Sequence, residues 1–126
     1  MRVADERGSA VAEFTMVAAL LVALVLSVIQ LTLALHVRAT LADAAAEGAR
    51  HASLVGADAS AGVARTRELI TVALGPGYAE HVSAATASVA GLETIEIRVA
   101  APLPMLGLVG PIGLEVTGHA PVESLG

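Results

Sequence analysis

Gly8, Ser9 and Glu13 are the residues whose types and spacing could take part in chemistry, and Phe14 follows them directly in the run Arg7-Gly8-Ser9-Ala10-Val11-Ala12-Glu13-Phe14. The chemistry they suit is peptide-bond cleavage followed by charge neutralisation. A Gly-Ser junction admits an extended backbone into a protease cleft because neither side chain obstructs it. Cleavage between Gly8 and Ser9 would free an α-amine on Ser9, one helical turn before the Glu13 carboxylate. The two charges could then neutralise each other.

The element that must position these residues is the uncharged stretch from Phe14 to Leu35, 22 residues whose only polar side chains are Thr15, Ser27, Gln30 and Thr32. As a helix it spans roughly 33 Å, enough for a hydrocarbon core of about 30 Å. A short polar leader, a glycine, and a carboxylate five positions later at the lip of a span form the layout cut by prepilin peptidases. Gly-x4-Glu is a weak pattern alone, and its place at the membrane boundary is what gives it weight. Two plainer readings compete. A secretory signal peptide has an apolar region of only about 7–15 residues; here the run is longer, and no Ala-x-Ala site directly follows it. The leader is also not clearly basic, since Asp5 and Glu6 offset Arg2 and Arg7. A plain signal anchor would share the span and make Gly8 and Glu13 incidental.

Composition narrows the function further. The chain has 126 residues and a net charge of −5, with a mean hydropathy of +0.76. All seven basic residues are Arg, and the Ala, Val, Gly and Arg bias suggests a GC-rich bacterial genome. One Phe, one Tyr and no Trp offer no stacking platform, and no basic patch exists, which argues against nucleic-acid binding. The absence of Cys excludes disulfides and thiolate metal sites. His36, His51, His81 and His119 show no metal-binding spacing such as HExxH. No nucleophile sits in a G-x-S-x-G setting, and Gly75-Pro76-Gly77 reads as a turn and not as a phosphate loop. The reading is therefore of no enzyme, no cofactor, no metal and no small-molecule substrate. His36 and His51 are expected at solvent or headgroups, and His119 on an outer sheet face.

Beyond Leu35 the helix should continue, because His36 to Leu54 lacks Pro and is rich in Ala. One rod from about Ala10 to Val55 is expected, half in lipid and half outside. Leu41, Ala45, Gly48 and Ala52 form a narrow small-residue face able to accept a sheet or another helix. Glu47 and Arg50 can pair at i,i+3. Gly56 should break the rod. Asp58 or Ser60 can cap a second helix that Gly75-Pro76-Gly77 stops. Its apolar face is expected at Ala59, Val63, Ile70 and Leu74.

From Val82 the period changes to two. Ile95, Ile97 and Val99 alternate with polar residues, as do Ile112, Leu114 and Val116, and Val82 to Val89 is a more blurred strand. Three antiparallel strands need a cover on one face, and the second helix is the available one. The Pro/Gly connection 102–111 is as apolar as a core, so it should fold over the sheet edge or meet the bilayer or a partner subunit. The fold class is thus α+β: a long N-terminal helix, a second amphipathic helix and a small three-stranded antiparallel sheet. The expected division is a leader at 1–8, the transmembrane and extended helix at 9–55, and an extracytoplasmic α+β domain at 56–126.

RGSAVAEF, the apolar span and ATLADAAAEGARHAS (Ala39 to Ser53) resemble the TadE-like minor pilins of tight-adherence (Tad/Flp) type IV pilus systems. Thr94 to Glu123 is similar to that family's strand, Pro-rich apolar loop, strand and closing segment. The N-terminal motif is the specific part. Two departures are modest: Ala12 intervenes before the Glu, and a Pro common early in the family's span is missing. The resemblance implies cleavage by a dedicated prepilin peptidase at Gly8-Ser9 and an assembly role for Glu13 and Phe14. It also implies partners among other pilin subunits and an inner-membrane Tad platform with a cytoplasmic ATPase, and a minor role in pilus biogenesis and adhesion beside a shorter major pilin. The N-terminus is placed in the cytoplasm by the peptidase logic, since the Arg count is nearly even on both sides of the span. The rival reading is a single-pass membrane scaffold or regulator that is part of no pilus and needs no cleavage.

Overall fold

From Arg2 to Leu54 the chain has no proline and only two glycines, Gly8 and Gly48, so nothing in it stops a helix. A computed structural model describes residues 2–54, 56, 58–102 and 113–122, with side chains from Asp5 onward. It shows a single α-helix, α1, over Arg2–Leu54, 53 residues or about 80 Å long. The helix thus begins at Arg2, well before the expected start near Ala10, because one exposed glycine costs only about 1 kcal/mol relative to Ala. Gly56, at φ 81°, makes the turn that ends the rod.

The second helix, α2, covers Ala59–Leu74. Asp58 is its N-cap: its Oδ1 accepts from the Ser60 hydroxyl at 2.6 Å, from the Ser60 N–H at 3.0 Å and from the Ala61 N–H at 3.4 Å. Gly75, at φ 103°, closes the other end, donating its N–H to the carbonyls of Ile70 and Thr71. A 3-10 turn over Pro76–Tyr78 then leads into the sheet.

Strands β1 (His81–Val89), β2 (Leu92–Pro102) and β3 (Gly113–Pro121) form an antiparallel sheet in the order β1-β2-β3. The β1–β2 turn has two residues, Ala90 and Gly91, both at positive φ. That arrangement matches the right-handed twist of the flanking strands. Val82 to Val89, the blurred stretch, is a full strand, since each of its residues has a partner in β2. The inner face is set by alternation: Ile95, Ile97 and Val99 are fully buried, and Val116, Gly118 and Ala120 are buried beside them. The connection 103–112 lies outside the described residues.

Two expectations are corrected. The sheet is covered chiefly by the outer half of α1, which lies over β3 and β2, while α2 covers the β1 side. A 16-residue helix is too narrow to roof three strands alone. The buried face of α2 is Gly62, Thr66 and Ile70, with Val63, Leu69 and Leu74 only half-buried. The stripe is rotated toward its smallest residues because α2 touches α1 and the sheet at once. On α1 the expected seam holds: Leu41, Ala45 and Ala52 are fully buried and Gly48 is buried, with Val37, Ala44 and Ala49 beside them.

The packing depends on missing side chains. A Cβ on Gly118 would land on the backbone of Ala45 and Ala46. One on Gly62 would come within 2.8 Å of the Ala52 Cβ and 2.9 Å of the Gly48 carbonyl oxygen. One on Gly48 would overlap the Thr66 hydroxyl, which is fully buried and donates to the Gly62 carbonyl at 2.8 Å. Among the described residues no buried side-chain N or O lacks a hydrogen-bond partner, which a small core needs, since an orphaned polar atom costs about 1–3 kcal/mol.

Two stability predictions follow from these contacts. Gly118→Val meets backbone, which cannot swing aside, and should destabilise the domain by about 1–3 kcal/mol. Gly113→Ala, whose added Cβ meets nothing within 4 Å, should leave it near wild type. Thermal unfolding of the detergent-solubilised full chain compares the two, and an unchanged Tm for Gly118→Val would contradict the crossing. The second prediction concerns Asp58, whose pKa is held below its ordinary 3.8 by the Ser60 hydroxyl first and the Ala61 N–H next. A depressed folded-state pKa stabilises fully above the unfolded-state value and loses that stabilisation as pH falls through the folded value. Asp58→Ala should therefore lower Tm at neutral pH, with the gap to wild type narrowing in acid below the ordinary carboxylate range. A gap independent of pH would mean that the carboxylate charge contributes nothing to the cap.

Candidate functional site

Gly8, Ser9, Glu13 and Phe14 all lie on the first turns of α1 and all are exposed. A Cβ on Gly8 would meet nothing within 4 Å, so no other part of the described fold shields the junction. Its backbone is helical and not extended as a protease cleft requires. The helical hydrogen bonds around Gly8 would have to open first, and glycine is the weakest point of these first turns for that. Ser9 and Glu13, at i and i+4, share one helix face.

Phe14, 74% exposed, opens a surface on which Met16, Val17, Leu20, Leu21, Leu24, Val25, Val28 and Leu31 are all exposed as well. A water-facing helix keeps such residues to one stripe, whereas here they surround the axis. The hydroxyl groups within the stretch are satisfied locally. Thr15, Ser27 and Thr32 each donate a hydroxyl to the carbonyl four residues earlier, on Val11, Ala23 and Val28, at 2.8, 2.7 and 2.8 Å. That pattern removes the cost of a hydroxyl in hydrocarbon. By length and composition α1 can cross a membrane.

The junction is far from the domain's other charged groups. Glu47 and Arg50 pair at 3.6 Å on the exposed side of α1, as the i,i+3 spacing suggests. On the outer sheet face Arg98 bridges Glu96 at 3.1 Å and Glu115 at 3.0 Å, and His119 meets Glu96 at 3.2 Å. His119 on that face was legible from alternation, but the network was not. It needs the register that sets Glu96 against His119 and Arg98 diagonally from Glu115. His36, His51 and His81 are exposed and separate. Among the described residues no three His, Asp or Glu side chains converge as metal ligands do. What the arrangement offers is an accessible peptide junction, a carboxylate one turn beyond it, and a membrane-length apolar surface.

No curated protein and no solved structure matches the chain. Residues 8–50, from the junction glycine through the apolar surface and into the packed seam, match the family model described as TadE-like protein.

Proposed function

We propose that this chain is a minor pilin or pseudopilin of a Tad-type type IV pilus assembly system, cut by a prepilin peptidase between Gly8 and Ser9. The observation that carries the reading is a coincidence of boundaries. The TadE-like match begins at Gly8, the last residue of the polar stretch that precedes, along the same helix, the Glu13 carboxylate and the exposed apolar surface. On this reading residues 1–8 are the leader, 9–55 the membrane and stalk helix, and 56–126 the remainder of an extracytoplasmic domain. The N-terminus lies in the cytoplasm.

The chemistry expected of the site is simple. The leader helix unwinds around Gly8, the peptidase hydrolyses the Gly8-Ser9 bond, and Ser9 gains an α-amine with an ordinary pKa of about 7.7–8.0. It is mostly protonated at neutral pH and sits one turn from Glu13. A charge at the centre of a bilayer costs on the order of 2.5–3.5 kcal/mol on insertion scales, so a carboxylate at its lip favours a cationic partner. The Ser9 amine, of the same or a neighbouring subunit, supplies one without a further basic side chain. Phe14 and the apolar surface after it exchange lipid for the helices of other pilins during assembly by the Tad platform, with support of pilus biogenesis and adhesion as the outcome.

Mass spectrometry of the membrane-extracted protein, from cells holding the peptidase, should show a chain that begins at Ser9. Gly8→Arg should leave the leader attached. An intact leader on the wild-type chain overturns the reading in favour of a single-pass scaffold. Glu13→Ala should insert in the membrane and be processed normally, yet be lost from sheared surface filaments by immunoblotting. Full recovery of that variant in filaments would reduce Glu13 to a flanking residue.

A further inference from the structure

We infer that one end of the globular domain is seated in the lipid headgroup layer, with Tyr78 as its interfacial anchor. The inference rests on the reading that α1 crosses the bilayer. Its first support is the lack of any spacer: the apolar stretch ends at Leu35, and Val37 is already buried in the domain core, about 3 Å further along the axis. The headgroup region is only about 5–7 Å deep on each side. The lowest packing layer of the domain therefore lies within it.

Directions of the elements identify which residues form that end. Along α2, Gly62 packs on Gly48 and Ala52, and four residues later Thr66 packs on Gly48 and approaches the Ala44 carbonyl at 3.5 Å. The α2 helix thus runs antiparallel to α1, back toward the membrane. At equal rise per residue Leu74 comes level with about Arg38, and the Pro76–Tyr78 turn lies at or below it. Along β3, Gly118 packs on Ala45 and Ala46, while Ala120 and Pro121 share a shallow depression with Arg50, Ser53 and Leu54. This strand runs away from the membrane. Five residues back from Gly118, roughly 17 Å, Gly113 comes level with about Leu35. Pro102 is its register partner. In the β1–β2 hairpin, His81 pairs with Ala100 at the same end, and Ala90-Gly91 forms the opposite tip, about 26 Å away.

The membrane-facing end is therefore the Gly75-to-Glu80 turn together with the strand ends at Pro102 and Gly113. Tyr78, the one tyrosine of the chain and half-buried, has the shape of an interfacial residue, with a ring against protein or acyl chain and a hydroxyl among headgroups. Arg38, exposed on α1 at this level, reaches phosphate depth. The Glu80 and Glu115 carboxylates are exposed at the rim, Glu115 paired with Arg98 at 3.0 Å. The occupant is the phospholipid surface that the chain's own span crosses, and it fixes the domain upright.

A chain without Trp allows a direct test by single-Trp reporters in the full-length protein, reconstituted into vesicles of phosphatidylethanolamine and phosphatidylglycerol. Tyr78→Trp should emit at shorter wavelength than Leu92→Trp at the distal tip, and headgroup spin-labelled lipid should quench it several-fold more strongly. Glu80→Trp, on an exposed position of the same turn, provides a second reporter should Tyr78→Trp disturb the fold, as judged by circular dichroism. Equal and weak quenching at positions 78, 80 and 92 overturns the inference. Leu24→Trp, read with acyl-chain labels, separates the two readings. If it is not quenched, the span itself is wrong; if it is quenched while 78 and 80 behave like 92, only the seating of the domain fails.

Discussion

Close approach of backbones at two glycine crossings is the constraint on which the rest of the structure depends. Gly48 of α1 faces Gly62 and Thr66 of α2, and Gly118 of β3 lies on the backbone of Ala45 and Ala46. The chain has almost no aromatic side chains to fill space, with one Phe, one Tyr and no Trp. Protein interiors are nonetheless packed to the density of organic crystals. With few large groups, that density is reached by bringing elements together until small side chains suffice. The core is accordingly Ala, Val and Ile around Leu41, and Thr66, among the described residues the one fully buried polar side chain, occupies the space where Gly48 has no side chain.

This economy links the membrane segment to the domain. The α1 helix is not a tether on which a separate body hangs, because its outer half supplies Val37, Leu41, Ala44, Ala45, Ala49 and Ala52 to the core. Helical hydrogen bonds run unbroken from Arg2 to Leu54. A hinge between span and domain would require breaking that core, so a rotation or tilt of the span is carried into the sheet. Such rigidity means that whatever packs against the apolar half of α1 also sets the position of the domain.

Charged groups contribute little to this architecture. The Glu47–Arg50 and Arg65–Glu68 pairs lie on exposed helix faces, and the Glu96, Arg98, Glu115 and His119 network covers the solvent side of the sheet. Exposed pairs of this kind contribute about 0–1 kcal/mol each. Their value is in keeping that face wetted, while the opposite face is dry. Asp58 is more local in effect, since it fixes where α2 begins and hence which way its small residues point.

Elements whose signal is local were legible in the residues themselves. The uncharged run after Glu13, the Leu41-to-Ala52 seam, the Asp58 cap, the Gly75 stop and the alternation at Ile95, Ile97 and Val99 each depend on neighbours within a turn or a strand. Physical chemistry at that range is written in spacing. Gly8 and Ser9 are a local signal of the same kind, a small-residue pair ahead of the apolar run, and the structure adds that both are exposed on α1. What the tertiary structure decided was every choice between partners. Alternation shows that a sheet face is buried, but not that α1 rather than α2 roofs most of it. Periodicity marks α2 as amphipathic, yet its buried stripe rotates to Gly62 and Thr66, because backbone approach at a crossing favours the smallest residues over the most apolar. The charge network on the sheet and the alignment of one end of the domain with the level of Leu35 on α1 likewise depend on strand register and element direction, which residues distant in the chain set jointly and no local window contains.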